Sequence, residues 1–321
     1  MPTERTLHRL ALALALATVG LIFAGGLVTS TESGLSVPDW PTTYGQNPFT
    51  FPMSKWVGGI KFEHSHRLIA SAVGLLTVVV AVAFARGEER RWVRRLAYLA
   101  LAAVVAQGLL GGLTVLLLLP TAISVAHACL AQTFFCLAVT LAVVTSPRWR
   151  DAAPAGGNPV RRAAAVTVGI VFLQLLVGAV MRHTKAGLAI SDFPLAFGRL
   201  VPPIASFAVG IHFAHRVTAL AVAAAAAVCL VRARRSDRTD LKRIAAGLCA
   251  LVAVQIALGA LTILSKKDVI LTTAHVVTGA LVLGTSLVLA LASRRTSLVA
   301  ARKASRTPAG ALTLSEEPAW K

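Results

Sequence analysis

The chain has 321 residues, of which 56% are hydrophobic and only 14% charged, with a mean hydropathy of +0.74. A water-soluble domain carries about a quarter charged residues, so an ordinary soluble enzyme is excluded, and disorder, which needs low hydrophobicity, is excluded with it. The net charge of +19 comes with only two Tyr and five Trp, too little stacking material for a nucleic-acid reader, so the placement of the basic residues has to explain it.

A membrane-crossing helix needs about 20 mostly apolar residues. Eight such runs occur, at 9–29, 62–85, 95–118, 122–145, 162–181, 205–231, 243–264 and 268–292. They are continuous and rich in Leu, Ala and Val, which predicts helices; a β-barrel would alternate. The first run follows Arg5 and Arg9 as a signal peptide would, but its counterpart in mid-chain argues for a retained span. Of the 32 Lys and Arg residues, 23 fall at the N-terminus, after spans 2, 4 and 6, and in the tail; nine fall on the other side. The positive-inside rule then places both termini in the cytoplasm. The basic charge is a topology signal of a multi-pass protein in the cell membrane, with lipid around it and no nucleic-acid partner. Residues 296–321 are polar and basic and read as a solvated, disordered cytoplasmic tail.

The spans fall into two sets of four. Glu63-His64-Ser65-His66-Arg67 opens span 2, and His212-Phe213-Ala214-His215-Arg216 opens span 6. Gln107-Gly108-Leu109-Leu110-Gly111 in span 3 matches Gln255-Ile256-Ala257-Leu258-Gly259 in span 7, and Ala126-His127 matches Ala274-His275. In the first and third outer loops, Gly34-Leu35-Ser36-Val37-Pro38-Asp39-Trp40-Pro41 matches Gly187-Leu188-Ala189-Ile190-Ser191-Asp192-Phe193-Pro194. Landmarks matched in order predict an all-α integral membrane protein of eight helices, built as two duplicated four-helix bundles. The halves are 1–150 and 151–295.

Ionisable groups inside a membrane default to a functional reading. His8 and His183 read as surface residues, whereas the repeat singles out His66, His127, His215 and His275. Each sits in the first turns of an even-numbered span, so all four lie towards the outer leaflet. In an up-down bundle, spans 2 and 4 of each half are diagonal neighbours, and their imidazoles can face one another. Two opposed imidazoles without a thiolate or carboxylate suit haem iron. Zinc would want three or four clustered ligands.

Together these residues resemble the heme A synthase family, over residues 10–292. The Glu63–Arg67 motif, the repeated His-Arg, His127, His275 and the two loop signatures carry the likeness. The resemblance implies oxidation of the C8 methyl of haem O to a formyl group, by two hydroxylations and loss of water from a gem-diol. It implies that His66 and His127 take the substrate haem O, and that His215 and His275 hold a permanent haem b. It also implies a haem O synthase and an electron donor as partners, and leaves oligomerisation open. Many members carry two loop cysteines in the stretch corresponding to Ser36–Tyr44. Here Val37 and Thr43 stand there, so the chain resembles the variety lacking that pair. Its four cysteines, Cys129, Cys136, Cys229 and Cys249, lie within spans and read as small buried hydrophobes.

Glu63 lies one turn from His66, and its counterpart is His212, so only the N-terminal half places a carboxylate beside its ligand. That carboxylate could relay protons, or simply pair with Arg67 or Lys61. Arg67 and Arg216 could bind haem propionates, or anchor helix ends. Gln107 and Gln255 read as interhelical hydrogen-bonders. Competing functions are a haem-delivery protein without turnover, a quinol-linked di-haem electron-transfer protein, and a transporter. The chain lacks the paired in-helix histidines of the di-haem class and the broken spans of a transporter.

Overall fold

A backbone in hydrocarbon must satisfy its own N–H and C=O groups, and continuous apolar runs do so as helices. The computed structural model describes residues 2–155 and 158–296. It contains eight helices long and apolar enough to cross a membrane: α1 (Glu4–Ser30), α2 (Ile60–Gly87), α3 (Arg91–Leu116), α4 (Thr121–Thr145), α6 (Pro159–His183), α7 (Phe207–Arg234), α8 (Thr239–Leu264) and α9 (Val269–Ala292). A ninth, α5 (Pro147–Asp151), is a single turn after α4. Among the described residues there is no strand, only isolated bridges. Each of the eight long helices lies where an apolar run predicts one. The ends reach further, because Arg91, Arg94 and Arg95 belong to the first turn of α3 and do not form a loop. The tail predicted at 296–321 lies outside the described residues beyond Thr296.

Side-chain oxygens cap several starts. Thr3, Asn158, Ser206 and Asp268 accept from the first free N–H groups of α1, α6, α7 and α9. Hydroxyls inside the spans bond back to their own helix, as Thr18 does to the Leu14 carbonyl and Thr77 to that of Val73, both at 2.7 Å.

Packing closes two rings. α1 and α3 each touch α2 and α4, so α2 and α4 are diagonal; α6 and α8 each touch α7 and α9, so α7 and α9 are diagonal. The rings meet through α1, α4, α6 and α9, and α1, α4 and α9 are accordingly the most enclosed spans. Lipid tails offer no hydrophobic drive between helices, so close contact depends on small residues. At this seam a Cβ on Gly284 would come 3.0 Å from the Phe135 ring, and one on Gly26 would come 3.1 Å from Thr273. Arg182, near the end of α6, reaches across to Ser30 Oγ at 2.9 Å, and Thr273 donates to the same oxygen at 3.1 Å.

The opposite end of the N-terminal ring is tied by a buried carboxylate. Glu88, between α2 and α3, accepts from Arg90 Nε at 2.8 Å and Arg150 Nη2 at 3.0 Å, while Arg90 also donates to the Val144 carbonyl at 3.0 Å. In the second ring Arg238 pairs with Asp240 and donates to the Ala292 carbonyl at 3.3 Å. Burial pushes the Glu88 carboxyl up, but Arg90 and Arg150 outweigh it and hold it below the ordinary glutamate range. A depressed carboxyl stabilises the fold above its unfolded pKa, and that contribution is lost as pH falls through the folded one. Glu88→Gln is expected to lower the thermal midpoint of the purified protein at neutral pH by on the order of 2–6 °C. The gap from the unmutated protein should narrow as pH falls below the ordinary glutamate range. An equal gap at every pH would remove the charge from the account.

Candidate functional site

The up-down connections start α2, α4, α7 and α9 at the same end of the bundle. His66, His127 and His275 are the seventh residues of α2, α4 and α9, and His215 is the ninth of α7. At about 1.5 Å per residue all four lie about 9–12 Å from the helix starts. Each imidazole meets a glycine of the preceding span. A Cβ on Gly25, Gly111, Gly178 or Gly259 would stand 3.1, 3.2, 2.9 or 3.1 Å from Cε1 of His66, His127, His215 or His275 respectively. Contacts that short are strained for any larger residue, so glycine is what lets each ring lie between its two helices.

These residues fit a haem. His215 and His275 come together across the second ring, with ring centres 6.4 Å apart. Metal–imidazole bonds of about 2 Å put the centres of two ligand rings about 6 Å apart. His66 and His127 lie at the same depth on diagonal helices, and each has a buried Nδ1 without a hydrogen-bond partner. All four rings are half-buried although protein surrounds them closely, so each keeps a face towards the space between the helices. No group of three or more His, Cys, Asp or Glu side chains able to hold a metal occurs among the described residues.

Glutamines lie beside three of the four rings. Gln107 Nε2 is 3.2 Å from His127 Nε2 and donates to the His127 carbonyl at 3.0 Å. Gln255 Nε2 is 3.4 Å from His275 Nε2. Gln174 donates to the His215 carbonyl at 3.0 Å and lies 3.2 Å from Nδ1 of the ring. The sequence reading identified the first two and missed Gln174. The available signal was an amide in the middle of an apolar span.

Two loops close this end, residues 31–59 and 184–206, and they are built alike. Asp39 accepts from Tyr44 N–H at 2.7 Å and Gly45 N–H at 2.8 Å; Asp192 accepts from Phe197 N–H at 2.8 Å and Gly198 N–H at 2.9 Å. Tyr44 and Gly45, like Phe197 and Gly198, have positive φ, as the central pair of a tight type I′ hairpin requires. Burial pushes the Asp39 carboxyl up, but the Gly45 N–H, the Thr42 hydroxyl and the Tyr44 N–H outweigh it and hold it below the ordinary aspartate range. The Gly198 and Phe197 N–H groups do the same for Asp192.

Arginines of the spans pin both loops. Arg67 donates to the carbonyls of Val37 (2.8 Å), Asp39 (2.7 Å) and Thr42 (3.0 Å), and to Glu63 Oε1 (2.7 Å). Arg216 donates to the carbonyls of Ile190 (3.2 Å), Asp192 (2.7 Å) and Leu195 (2.8 Å). Glu63 is buried, and its second oxygen accepts from Val37 N–H at 2.8 Å. Of the two roles read for Glu63, the pairing with Arg67 is therefore present. His212, its counterpart, accepts from Ile190 N–H at 3.2 Å. His64 is fully buried between Phe51 and Trp56 and lies 3.2 Å from Thr43 Oγ1.

Val37 and Thr43, where loop cysteines were sought, are both completely buried. Of the four cysteines only Cys229 is fully buried; Cys129, Cys136 and Cys249 are half-exposed. His183 is the last residue of α6, half-buried, and does not stand in a loop. His8 is likewise half-buried, 3.3 Å from Thr145 Oγ1. Both were expected at the surface; helices longer than their apolar cores carry them inward.

The profile of the COX15-CtaA family, described as cytochrome oxidase assembly protein, matches residues 8–57 and 58–287. The chain belongs to this family. Its relatives include a Heme A synthase of Symbiobacterium thermophilum, 36% identical over 249 residues, covering 74% of this chain and 79% of the relative. A Heme A synthase of Halalkalibacterium halodurans is 32% identical over 218 residues, 63% of this chain and 68% of the relative. One from Caulobacter vibrioides is 29% identical over 326 residues, covering 86% and 92%.

Within this family's fold the arginines give a direct test of loop pinning. Arg67→Gln leaves the carbonyls of Val37, Asp39 and Thr42 without their donor. It should raise protease cleavage within 31–59 about tenfold in detergent, the effect of losing one to two net hydrogen bonds. Arg216→Gln should do the same within 184–206. Cleavage at the unmutated rate in both would mean that the loops hold without the arginines.

Proposed function

We propose that the protein is a heme A synthase, a membrane oxidoreductase that converts the C8 methyl of haem O to a formyl group. The observation that carries this reading is the quartet of imidazoles at one depth, each seated against a glycine, with one pair already at the spacing of two ligands on a single metal. The names of the relatives support it. In this reading the half formed by 1–150 binds haem O through His66 and His127. The half formed by 151–295 binds haem b through His215 and His275. Bound haem supplies the redox chemistry; the chain supplies ligands, orientation and exclusion of water. The histidine end faces outward and both termini are cytoplasmic, in the cell membrane. A haem O synthase supplies the substrate, and a separate donor supplies electrons.

Arg67 and Arg216 hold the loops over this end. The Arg216 Nε–H is buried without a partner and is available to a haem propionate. Arg67 stands in the corresponding place and would hold the other haem's propionate. Glu63 is the carboxylate within one helical turn of His66 and holds or moves a proton there. One observation favours a second reading, haem delivery without turnover. Glu63 takes a loop N–H just as His212 does, so its place has a purely structural explanation as well.

The test supplies haem O to membranes and quantifies haem A and its hydroxylated intermediate by chromatography. His66→Ala or His127→Ala should stop product while a low-spin haem remains. His215→Ala or His275→Ala should remove that low-spin spectrum. Glu63→Gln should keep both haem sites and lose haem A formation by at least about tenfold, a modest demand for acid–base chemistry. Near-unmutated haem A from Glu63→Gln would leave Glu63 as a loop anchor. No haem A from the unmutated protein, with haem bound, would favour delivery.

A further inference from the structure

Arg67, Arg182 and Arg216 all lie at the histidine end of the bundle, but they are not engaged alike. Arg67 and Arg216 use both Nη groups on loop carbonyls, and Arg67 also pairs with Glu63. Arg182 bonds through Nη2 alone, to Ser30 Oγ at 2.9 Å and the Gly26 carbonyl at 3.4 Å. Among the described residues its Nε and Nη1 have no acceptor, and no carboxylate stands within ion-pair reach of it. A charged side chain in a span is costly and ordinarily faces a partner. Arg182 is half-buried, and both its partners are neutral oxygens.

The repeat places this cation beside the second pair of histidines. Arg182 stands four residues after Gly178, which seats His215, so it lies on the same face of α6, about 6 Å nearer the loop end. Ser30 Oγ also accepts from Thr273, two residues before His275. The guanidinium is close enough to His275 to act on that ring electrostatically. On α1 the residue four after Gly25 is Thr29, whose hydroxyl bonds back to the Gly25 and Gly26 carbonyls. The first half has no cation at this place.

We propose that Arg182 is a carboxylate-binding site, which takes one haem propionate in the C-terminal half while the Arg216 Nε–H takes the other. A planar ligand whose metal is held from both faces by imidazoles of α7 and α9 turns its rim, not its faces, towards α6 and α8. Its carboxylates turn to the loop end, because an ionised acid in hydrocarbon is costly. The rim beside α6 meets Arg182 there. The guanidinium brings unused N–H donors and an unbalanced charge, and a carboxylate satisfies both through charge-assisted hydrogen bonds. In the first half Thr29 offers a hydroxyl already bonded to its own helix, and Arg67 balances Glu63 at 2.7 Å. Haem carboxylates are thus met by two cations without an acid partner in one half, and by one already paired in the other.

This inference rests on the haem reading above, and the experiment separates the two. The purified full chain carrying His66→Ala and His127→Ala, so that only the second ring is read, is titrated with haemin and with haemin dimethyl ester, followed by visible absorption. Arg182→Gln should weaken haemin binding about tenfold, the factor one charge-assisted hydrogen bond supplies, and leave the dimethyl ester at the parent affinity. Arg182→Lys keeps the charge and should recover part of the loss. Ser30→Ala removes the acceptor on α1 but leaves the guanidinium, and should bind haemin as the parent does. Equal loss of both ligands in Arg182→Gln, or the same loss from Ser30→Ala, would make Arg182 a tie between the two rings and overturn the carboxylate site. Unchanged haemin affinity in Arg182→Gln would overturn it as well, and in each of these cases the haem reading stands. If neither His215→Ala nor His275→Ala weakens haemin binding in the same background, the haem reading falls and the carboxylate site with it.

Discussion

An imidazole between two tightly packed helices needs the space that a side chain would otherwise fill. Glycine at 25, 111, 178 and 259 leaves that space, and much of the arrangement depends on it. If any of these residues carried a Cβ, the histidine ring or its helix would have to give by a few tenths of an ångström, and the adjacent contacts would shift with it. The glycine contact therefore sets both the spacing of each helix pair and the direction in which the ring can point. That direction is towards the space within the ring of four helices, since the glycine backbone closes the other side.

Above this layer the loops are held from below. A loop of 29 residues such as 31–59 does not fix itself, because its backbone groups are satisfied equally well by water. Here Arg67 and Arg216, each directly after a histidine of the quartet, convert helix position into loop position through carbonyl contacts. The aspartates then fix each hairpin internally. The same turn of helix thus carries the histidine that meets the glycine and the arginine that holds the loop, so the loop and the histidine cannot drift independently.

The eight spans were legible because lipid leaves the backbone few options and apolar runs of this length have one reading. The quartet of histidines was legible because it recurs in register. What escaped the sequence depends on facts that a pattern of residue types does not carry. The terminal turns of α1 and α6 carry His8 and His183 inward, since a helix begins and ends at its hydrogen bonds and not at its apolar residues. Gln174 escaped because the repeat places Leu21 opposite it, and a search for matched landmarks discards unmatched ones. Arg67 and Arg216 were read beside a haem edge or the headgroups, but loop carbonyls without other donors attract a planar guanidinium equally well.

The repeat is most informative where it is broken. At Val37 and Ile190 both halves present a buried backbone N–H to an acceptor on the following helix, and both satisfy it. In one half the acceptor is a carboxylate, Glu63, and in the other a neutral ring nitrogen, His212. The structural requirement is only for an acceptor, and either residue meets it. A carboxylate brings a charge that must itself be balanced, and Arg67 balances it at 2.7 Å; the ring brings none, and Arg216 is left with an unpartnered Nε–H. One substitution at an architecturally equivalent position thus changes the electrostatics beside one pair of histidines while leaving the loop anchored. On α1, Leu21 stands where α6 carries Gln174. Both differences lie in the N-terminal half. Equal scaffolds thus carry unequal polar surroundings around their two pairs of histidines.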